Sequence, residues 1–303
     1  MRTLAGQFNL TVSPRTYQPC CKFRNRFRSV GHLKININKS IDLDELRKRN
    51  QGVKKGGFWT PHDCPPRSRV IIIVPHRNRW SHLIQWLAHY HPILQRQKLE
   101  YRIVVTEQVQ RNLFNKGRLY NAAFLECERA FDFDCVIFHD VDMLLENDHN
   151  MYWCYNMTRP RHLSPAVDKF RYQLPYHILV GGVLAMTRHM FKRVNGFSNQ
   201  FWGWGGEDDD MWGRLVAVNT TVDRPHPTIG RYTMIKHRTR KGERNFMLTY
   251  RLVLLATSGS RWSRDGLNDV RDYCKLTQVA HEPLFTHFVF DVGNQPRQKP
   301  RNT

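Results

Sequence analysis

Two groups of carboxylates stand out in a chain that is otherwise strongly basic. Asp140 and Asp142 flank Val141 in "HDVD", and Glu207-Asp208-Asp209-Asp210 follow "WGWGG". The first pair closes an apolar run, so its carboxylates can converge on one loop edge. Such oxygens suit a hard divalent ion that keeps positions open for phosphate. The second group reads as the start of a helix, where acids meet a favourable macrodipole. Four adjacent carboxylates nevertheless repel one another and exceed what capping needs. Gly205 and Gly206 let backbone approach a ligand, and Trp202 and Trp204 offer flat apolar faces. Flat faces beside acceptor carboxylates suit a polyhydroxyl substrate such as a sugar. One of those carboxylates can serve as general base toward a sugar hydroxyl.

Other metal chemistries fail on spacing. A calcium loop starting at Asp140 requires Gly at its sixth position and Glu at its twelfth, where the chain has Leu145 and Met151. No Cys/His cluster has the spacing of a zinc site.

The elements around these acids alternate. "VIIIVP" (70–75) is a short apolar run that reads as a buried strand. Trp80, Leu83, Ile84 and Leu87 then follow helical spacing, in a helix predicted to end before Pro92. "YRIVV" (101–105) reads as a strand, 115–130 as a helix and "CVIFHD" (135–140) as a third strand. "ILVGGVLAM" (178–186) reads as a strand broken by a glycine pair, which marks a close approach. Thr187 is placed to cap the helix "RHMFKRVN", "MWGRLVAV" (211–218) is helical, and "IGRYTMIKH" (229–237) alternates as a strand does. The expected class is α/β with a mainly parallel central sheet. Ligands bind such sheets beyond the carboxyl ends of strands, where Asp140-Val141-Asp142 falls.

The chain has 303 residues, 47 Lys and Arg against 26 Asp and Glu, and a formal net charge of +21. That charge favours anionic partners. The chain shows no aromatic-interleaved basic face and no known nucleic-acid module, so no nucleic-acid partner is expected. Residues 1–68 read as a polar arm or stem around the core, 69–292 as the catalytic domain and 293–303 as a basic tail. No apolar stretch approaches the roughly 20 residues of a membrane span, and no signal-peptide apolar region opens the chain. Four N-x-Ser/Thr sequons, at Asn9, Asn38, Asn156 and Asn219, and seven cysteines without a CxxC pair lean toward a secretory lumen.

A longer pattern then emerges. It comprises "PHRNR" (75–79), "FNKGRL" (114–119), "FHDVD" (138–142), "NDHN" (147–150), "DKF" (168–170), "LPY" (174–176), "GGV" (181–183), "NGFSNQFWGWGGEDDD" (195–210), "GRYTMIKH" (230–237) and "DGLN" (265–268). In these motifs, over roughly residues 35–292, the chain resembles the animal β-1,4-galactosyltransferases. Those are inverting Golgi glycosyltransferases that use a nucleotide sugar. The family usually has Phe in place of His76 and Arg in place of Lys116.

The resemblance implies a nucleotide-sugar-binding α/β fold and a manganese ion on Asp142, Met234 and His237. It implies Asp208 as catalytic base, with Glu207, Asp209, Gly206 and Tyr176 at the acceptor. Pro75, Arg77, Arg79, Phe114, Asp140, Val141 and Lys169 would hold the donor, with Trp204 on a small mobile loop closing over it. A lid over about 238–264 would close with Trp204. Leu179, three residues past Tyr176, occupies the position that governs donor choice and is Tyr in galactose-specific vertebrate enzymes. Leucine there implies transfer from UDP-N-acetylgalactosamine, with UDP-galactose also accepted, to terminal N-acetylglucosamine glycans. A strict UDP-galactose enzyme and a non-catalytic sugar-binding module are the alternatives. The resemblance also implies the disulfide Cys135–Cys154 and one from Cys64 to Cys21 or Cys20, leaving Cys127 and Cys274 as thiols. Localisation would be the Golgi lumen, with membrane contact only through an anchor outside this sequence.

Overall fold

The computed structural model describes residues 30–37, 41–110, 112–236 and 248–295. In chain order the first half is α1 (Leu43–Arg49), β1 (Phe58–Trp59), β2 (Arg69–His76), α2 (Trp80–Arg96), β3 (Glu100–Gln108), α3 (Lys116–Ala130), β4 (Cys135–His139) and β5 (Met143–Leu145). There follow β6 (Arg161–His162), β7 (Ala166–Val167), β8 (Val183–Thr187), α4 (Arg188–Arg193), α5 (Glu207–Ala217) and β9 (Arg231–Met234). The chain continues with α6 (Leu248–Ala256), α7 (Ser258–Arg261), α8 (Val270–Tyr273), β10 (Lys275–His281) and β11 (Thr286–Asp291).

The main sheet runs β10-β11-β3-β2-β4-β8-β6, with β1 paired to β3. Its centre is parallel, from β11 through β3 and β2 to β4. Antiparallel strands flank it: β10 on one side, β8 and β6 on the other. The apolar run of β2 follows from burial on both faces. Val70, Ile72 and Val74 join the core under α2, whereas Ile71 and Ile73 join the core under α3. A second sheet, β5-β9-β7, carries the segments after Asp142 and up to Met234. Among the described residues no helix is long and apolar enough to cross a membrane. Leu46, Val53 and Trp59, from the stretch expected to be an arm, join the first core.

Two elements differ from expectation. Helix α2 continues through Pro92 to Arg96. An internal proline costs about 3 kcal/mol or more, but Ile93 and Leu94 beyond it are fully buried, and their burial sustains the last turn. Residues 178–182 are not strand; β8 begins at Val183, because Gly182 adopts a left-handed φ of 87°. The cap on α4 is as expected, with Thr187 Oγ1 accepting from the Met190 N–H at 3.1 Å. Cys135 and Cys154 form a disulfide with Cα atoms 6.1 Å apart, tying the start of β4 to the following loop. Cys127 and Cys274 are free thiols. Cys64 is disulfide-bonded; Cys20 and Cys21 lie outside the described residues.

The helix that carries the acid run is fixed from behind. Arg214 and Asp210, both fully buried, pair at 2.6 Å one turn apart. Arg214 also reaches Asp265, and Arg261 reaches Asp210 at 2.5 Å and Asp265. These contacts lock α5 to α7 and to the "DGLN" segment. Removing one member strands a buried charge, which costs roughly 3–5 kcal/mol. Arg214→Ala should therefore lower unfolding stability by about that amount in chemical denaturation; a loss below about 1 kcal/mol would show the network to be incidental.

Candidate active site

The acid run sits where three elements meet: the carboxyl end of β4, the start of α3 and the start of α5. Lys116, the first residue of α3, extends its ammonium into this junction. It lies 2.8 Å from Glu207, 3.4 Å from Asp208 and 3.4 Å from Asp140. Burial opposes the charge on Lys116, but the carboxylates, Asp140 foremost, outweigh it and hold its pKa well above the usual lysine value. Asn115 caps α3, its side chain accepting from the Arg118 N–H at 2.9 Å, and so sets the direction in which Lys116 points.

Asp208 is the most perturbed of the acids. About a quarter of its side chain, 23%, remains exposed. Desolvation comes first among the causes, and Glu207, Asp140 and Asp209 add repulsion that Lys116 only partly offsets. Its pKa is pushed up to about 8. Burial likewise raises Asp140, whose backbone N–H donates to the Gly182 carbonyl at 2.9 Å. Gly181 has no side chain because the Asp208 carboxylate occupies the space a Cβ would need. The close approach inferred for the glycine pair is thus made, at Gly181, by the catalytic candidate itself.

The glycines of "WGWGGEDDD" serve the backbone. Gly203, Gly205 and Gly206 all have positive φ, and Gly206 at 97° is the N-cap of α5. A Cβ on Gly206 would collide with Phe201 and with Arg251 of α6. The two tryptophans divide. Trp202 is 3% exposed within the core beneath the Arg118 guanidinium, so it offers no sugar a face. Trp204 is 58% exposed.

The remaining candidates fall into groups. Tyr176 donates its hydroxyl to Asp209 Oδ1 at 3.0 Å, which joins two acceptor candidates beside Glu207 and Asp208. Leu179 is partly buried, and its N–H donates to the Tyr176 carbonyl at 3.2 Å. Pro75 is buried at the carboxyl end of β2. Arg77 stacks its guanidinium 4.9 Å from the centre of the Phe114 ring, and the Phe114 carbonyl accepts from the Gly203 N–H at 2.8 Å. One wall of the nucleotide candidates is therefore bonded to the tryptophan-glycine loop. Val141 is buried and Lys169 is exposed, with its ammonium 5.5 Å from the Phe170 ring. No described contact brings Lys169 to the Lys116 cluster.

The metal candidates are adjacent on the second sheet. Asp142 directly precedes β5, Met143 pairs with Met234 in register, and the Ile235 N–H donates to the Asp142 carbonyl at 2.8 Å. Arg79 pairs with the Asp142 carboxylate at 3.0 Å. Among the described residues no group of three His, Cys, Asp or Glu side chains could hold a metal ion. The third expected ligand, His237, lies outside the described residues, as does the lid over 238–247. Residues 248–264 of that lid form α6 and α7. A buried carboxylate at Asp142 and a thioether at Met234, brought close along the chain by the pairing of β5 with β9, are the described part of the donor set.

Several residues of the site went unassigned at the level of sequence. Asp168 of "DKF" accepts from the Met234 N–H at 2.8 Å and so fixes the end of β9. At the end of β4, His139 Nδ1 lies 3.1 Å from the Trp86 indole nitrogen and 2.8 Å from the Asp140 carbonyl oxygen, and its Nε2 lies 2.9 Å from the Tyr152 hydroxyl. Burial lowers the His139 pKa to about 3, so this floor is neutral. Tyr90 completes it by donating to the Met143 carbonyl at 3.0 Å. Asp168 and His139 lie within quoted motifs, whereas Trp86, Tyr90 and Tyr152 lie in none.

Comparison with known proteins bears on the family and the fold. The family model described as "N-terminal region of glycosyl transferase group 7" matches residues 21–155, and that described as "N-terminal domain of galactosyltransferase" matches 161–238. The chain is 46% identical over 277 residues to beta-1,4-galactosyltransferase 5 of Danio rerio, covering 90% of this chain and 70% of that protein. It is 42% identical over 265 residues to beta-1,4-galactosyltransferase 1 of Homo sapiens, covering 87% of this chain and 65% of the human protein. The chain thus spans roughly two thirds of these relatives' length. The catalytic domain of Drosophila beta1,4-galactosyltransferase 7, solved with xylobiose, matches at TM-score 0.64 and 28% identity over 75% of this chain and 95% of that one. A mutant of that Drosophila protein, solved with manganese, UDP-Gal and xylobiose, matches at TM-score 0.63 and 29% identity. The chain therefore belongs to the β-1,4-galactosyltransferase family of glycosyl transferase group 7.

Proposed function

We propose that the protein is an inverting β-1,4-glycosyltransferase. It moves N-acetylgalactosamine, with galactose as a second donor, from a UDP-sugar to the 4-hydroxyl of terminal N-acetylglucosamine. The observation that carries this reading is the Asp208 carboxylate, partly exposed, 3.4 Å from the Lys116 ammonium and with its pKa pushed up to about 8. A base is most effective when its pKa lies near the working pH. Asp208 removes the acceptor hydroxyl proton. The freed oxygen attacks the anomeric carbon from the face opposite UDP, the bond to UDP breaks, and the configuration inverts. One base suffices, and no second nucleophilic carboxylate is required.

Glu207 and Asp209 orient acceptor hydroxyls, with Tyr176 holding Asp209 in place. Arg77, Phe114 and Pro75 line the nucleotide side, and Arg79, Asp140, Val141, Lys169 and Trp204 complete the proposed donor set. Asp142, Met234 and His237 would hold manganese, which when bound supplies Lewis-acid neutralisation of the departing diphosphate. The Cys135–Cys154 disulfide supports work in an oxidising secretory lumen, the Golgi by the family's habit.

The reaction assignment is tested by Asp208→Asn. Turnover measured as manganese-dependent UDP release with an N-acetylglucosamine acceptor should fall by roughly 10²–10⁴-fold, while donor binding persists. Near-parental turnover would transfer the base to Glu207. The same variant should be more heat-stable than the parent in the metal-free state. A carboxyl raised from 3.8 to about 8 in the folded state contributes stability that is complete below pH 3.8 and lost as pH rises through about 8. A neutral amide escapes that loss. An unchanged or lower thermal midpoint at alkaline pH would contradict the burial argument.

The donor assignment rests on Leu179. A tyrosine there would place a hydroxyl where a 2-N-acetyl group lies, whereas leucine leaves room and an apolar wall worth about 0.8 kcal/mol per methyl buried. Leu179→Tyr should shift kcat/KM toward UDP-galactose. A parent protein that already prefers UDP-galactose strongly would reject N-acetylgalactosamine transfer and leave a galactosyltransferase.

A further inference from the structure

We propose that Asn156 and Asn219 each carry an N-linked glycan, and that the two sequons meet at one groove at the far end of α5 from the acid run. Asn156-Met157-Thr158 and Asn219-Thr220-Thr221 satisfy the N-x-Thr rule without proline. Asn156, Thr158, Asn219 and Thr221 are all exposed. Among the described residues no hydrogen bond ties either asparagine side chain, and both residues are exposed to an approaching enzyme. Asn156 lies in the loop between Cys154 and β6, and Asn219 follows the last turn of α5.

The two sequons are neighbours in space. Thr158, Arg159, Arg193, Asn219 and Thr220 line a single shallow groove. Arg159 donates from Nη1 to Thr221 Oγ1 at 3.4 Å and pairs with Asp223 at 2.5 Å. Helix α5 has eleven residues. At 1.5 Å per residue its far end lies about 16 Å from Glu207, so a glycan there leaves the cleft open.

Backbone geometry explains only part of the pattern. Asn156 and Asn219 have φ of 56° and 55°, the left-handed region that asparagine tolerates best after glycine. At Asn219 this stops the helix, with the Thr220 N–H donating to the Leu215 carbonyl at 2.9 Å. A helix stop requires Asn or Gly; it does not require a threonine two residues later, at both sites, exposed. The Thr221 hydroxyl meets Arg159 at 3.4 Å and the Thr158 hydroxyl makes no hydrogen bond among the described residues, and the hydroxyl is the element that sequon recognition reads.

In the modification the asparagine Nδ2 forms a bond to the anomeric carbon of a lipid-diphosphate oligosaccharide. Nδ2 gives up a proton to the transferring enzyme, and the carbon–oxygen bond to the lipid diphosphate breaks. The disulfide at Cys154, two residues before Asn156, places the loop in a compartment where that co-reactant occurs. The inference stands independently of the transferase reading.

The test is to secrete the whole chain from eukaryotic cells and release glycans with a peptide amidase in heavy-oxygen water. Conversion of Asn156 and Asn219 to labelled aspartate is expected at both sites. Thr158→Val and Thr221→Val should each abolish one conversion and one glycan step on a gel. Asn156→Gly and Asn219→Gly should do the same while keeping the left-handed turn. Unlabelled, unmodified asparagine at either site in the secreted parent would overturn the proposal for that site. Labelling that persists in the Thr→Val variants would overturn it for both.

Discussion

One ammonium surrounded by three carboxylates sets the terms for the rest of the molecule. Lys116 meets Asp140, Glu207 and Asp208 in a junction that is largely desolvated. The charges do not balance, and Asp208 carries the excess as a raised pKa. A fold that needed only stability would replace such a cluster with apolar residues of similar volume. Such a cluster is what the proposed chemistry would require, at a cost in stability.

The surrounding structure can be understood as what holds this cluster together. The capped start of α3 aims Lys116, the carboxyl end of β4 supplies Asp140, and the glycine N-cap of α5 presents Glu207 and Asp208. Repulsion among the acids would fray the start of α5. The Arg214–Asp210 pair, with Arg261 and Asp265, anchors its first turn from the buried side. Gly181 keeps the loop before β8 bare where the Asp208 carboxylate approaches. The neutral Trp86–His139–Tyr152 floor adds no further charge beneath it.

Much of this was legible in the sequence. The parallel strands at 70–75, 101–105 and 135–140, the helix over 115–130 and the Thr187 cap all declare themselves through apolar runs, periodicity and a capping residue. The Cys135–Cys154 bridge followed only from resemblance, since spacing cannot choose among seven cysteines. Pro92 misled because local propensity knows nothing of the core that Ile93 and Leu94 enter. The glycines of "WGWGG" suggested ligand approach when left-handed backbone is what they supply. Trp202 suggested a sugar platform, yet it is core. Lys116 illustrates the limit most clearly. In the sequence it stood out only as a departure from the arginine that the resemblance implies. Its actual partners come from elements 24 and 92 residues away, and only the folded chain brings them together.

The measurement that bears most directly on the central claim is the pH dependence of kcat/KM for the acceptor in the parent and in Lys116→Gln. If the ammonium restrains the pKa of the base, activity should fall on the acid side as Asp208 gains a proton, and that break should move to higher pH when Lys116 is neutralised. A break that stays in place in Lys116→Gln would show that Lys116 does not govern the base and would contradict the account.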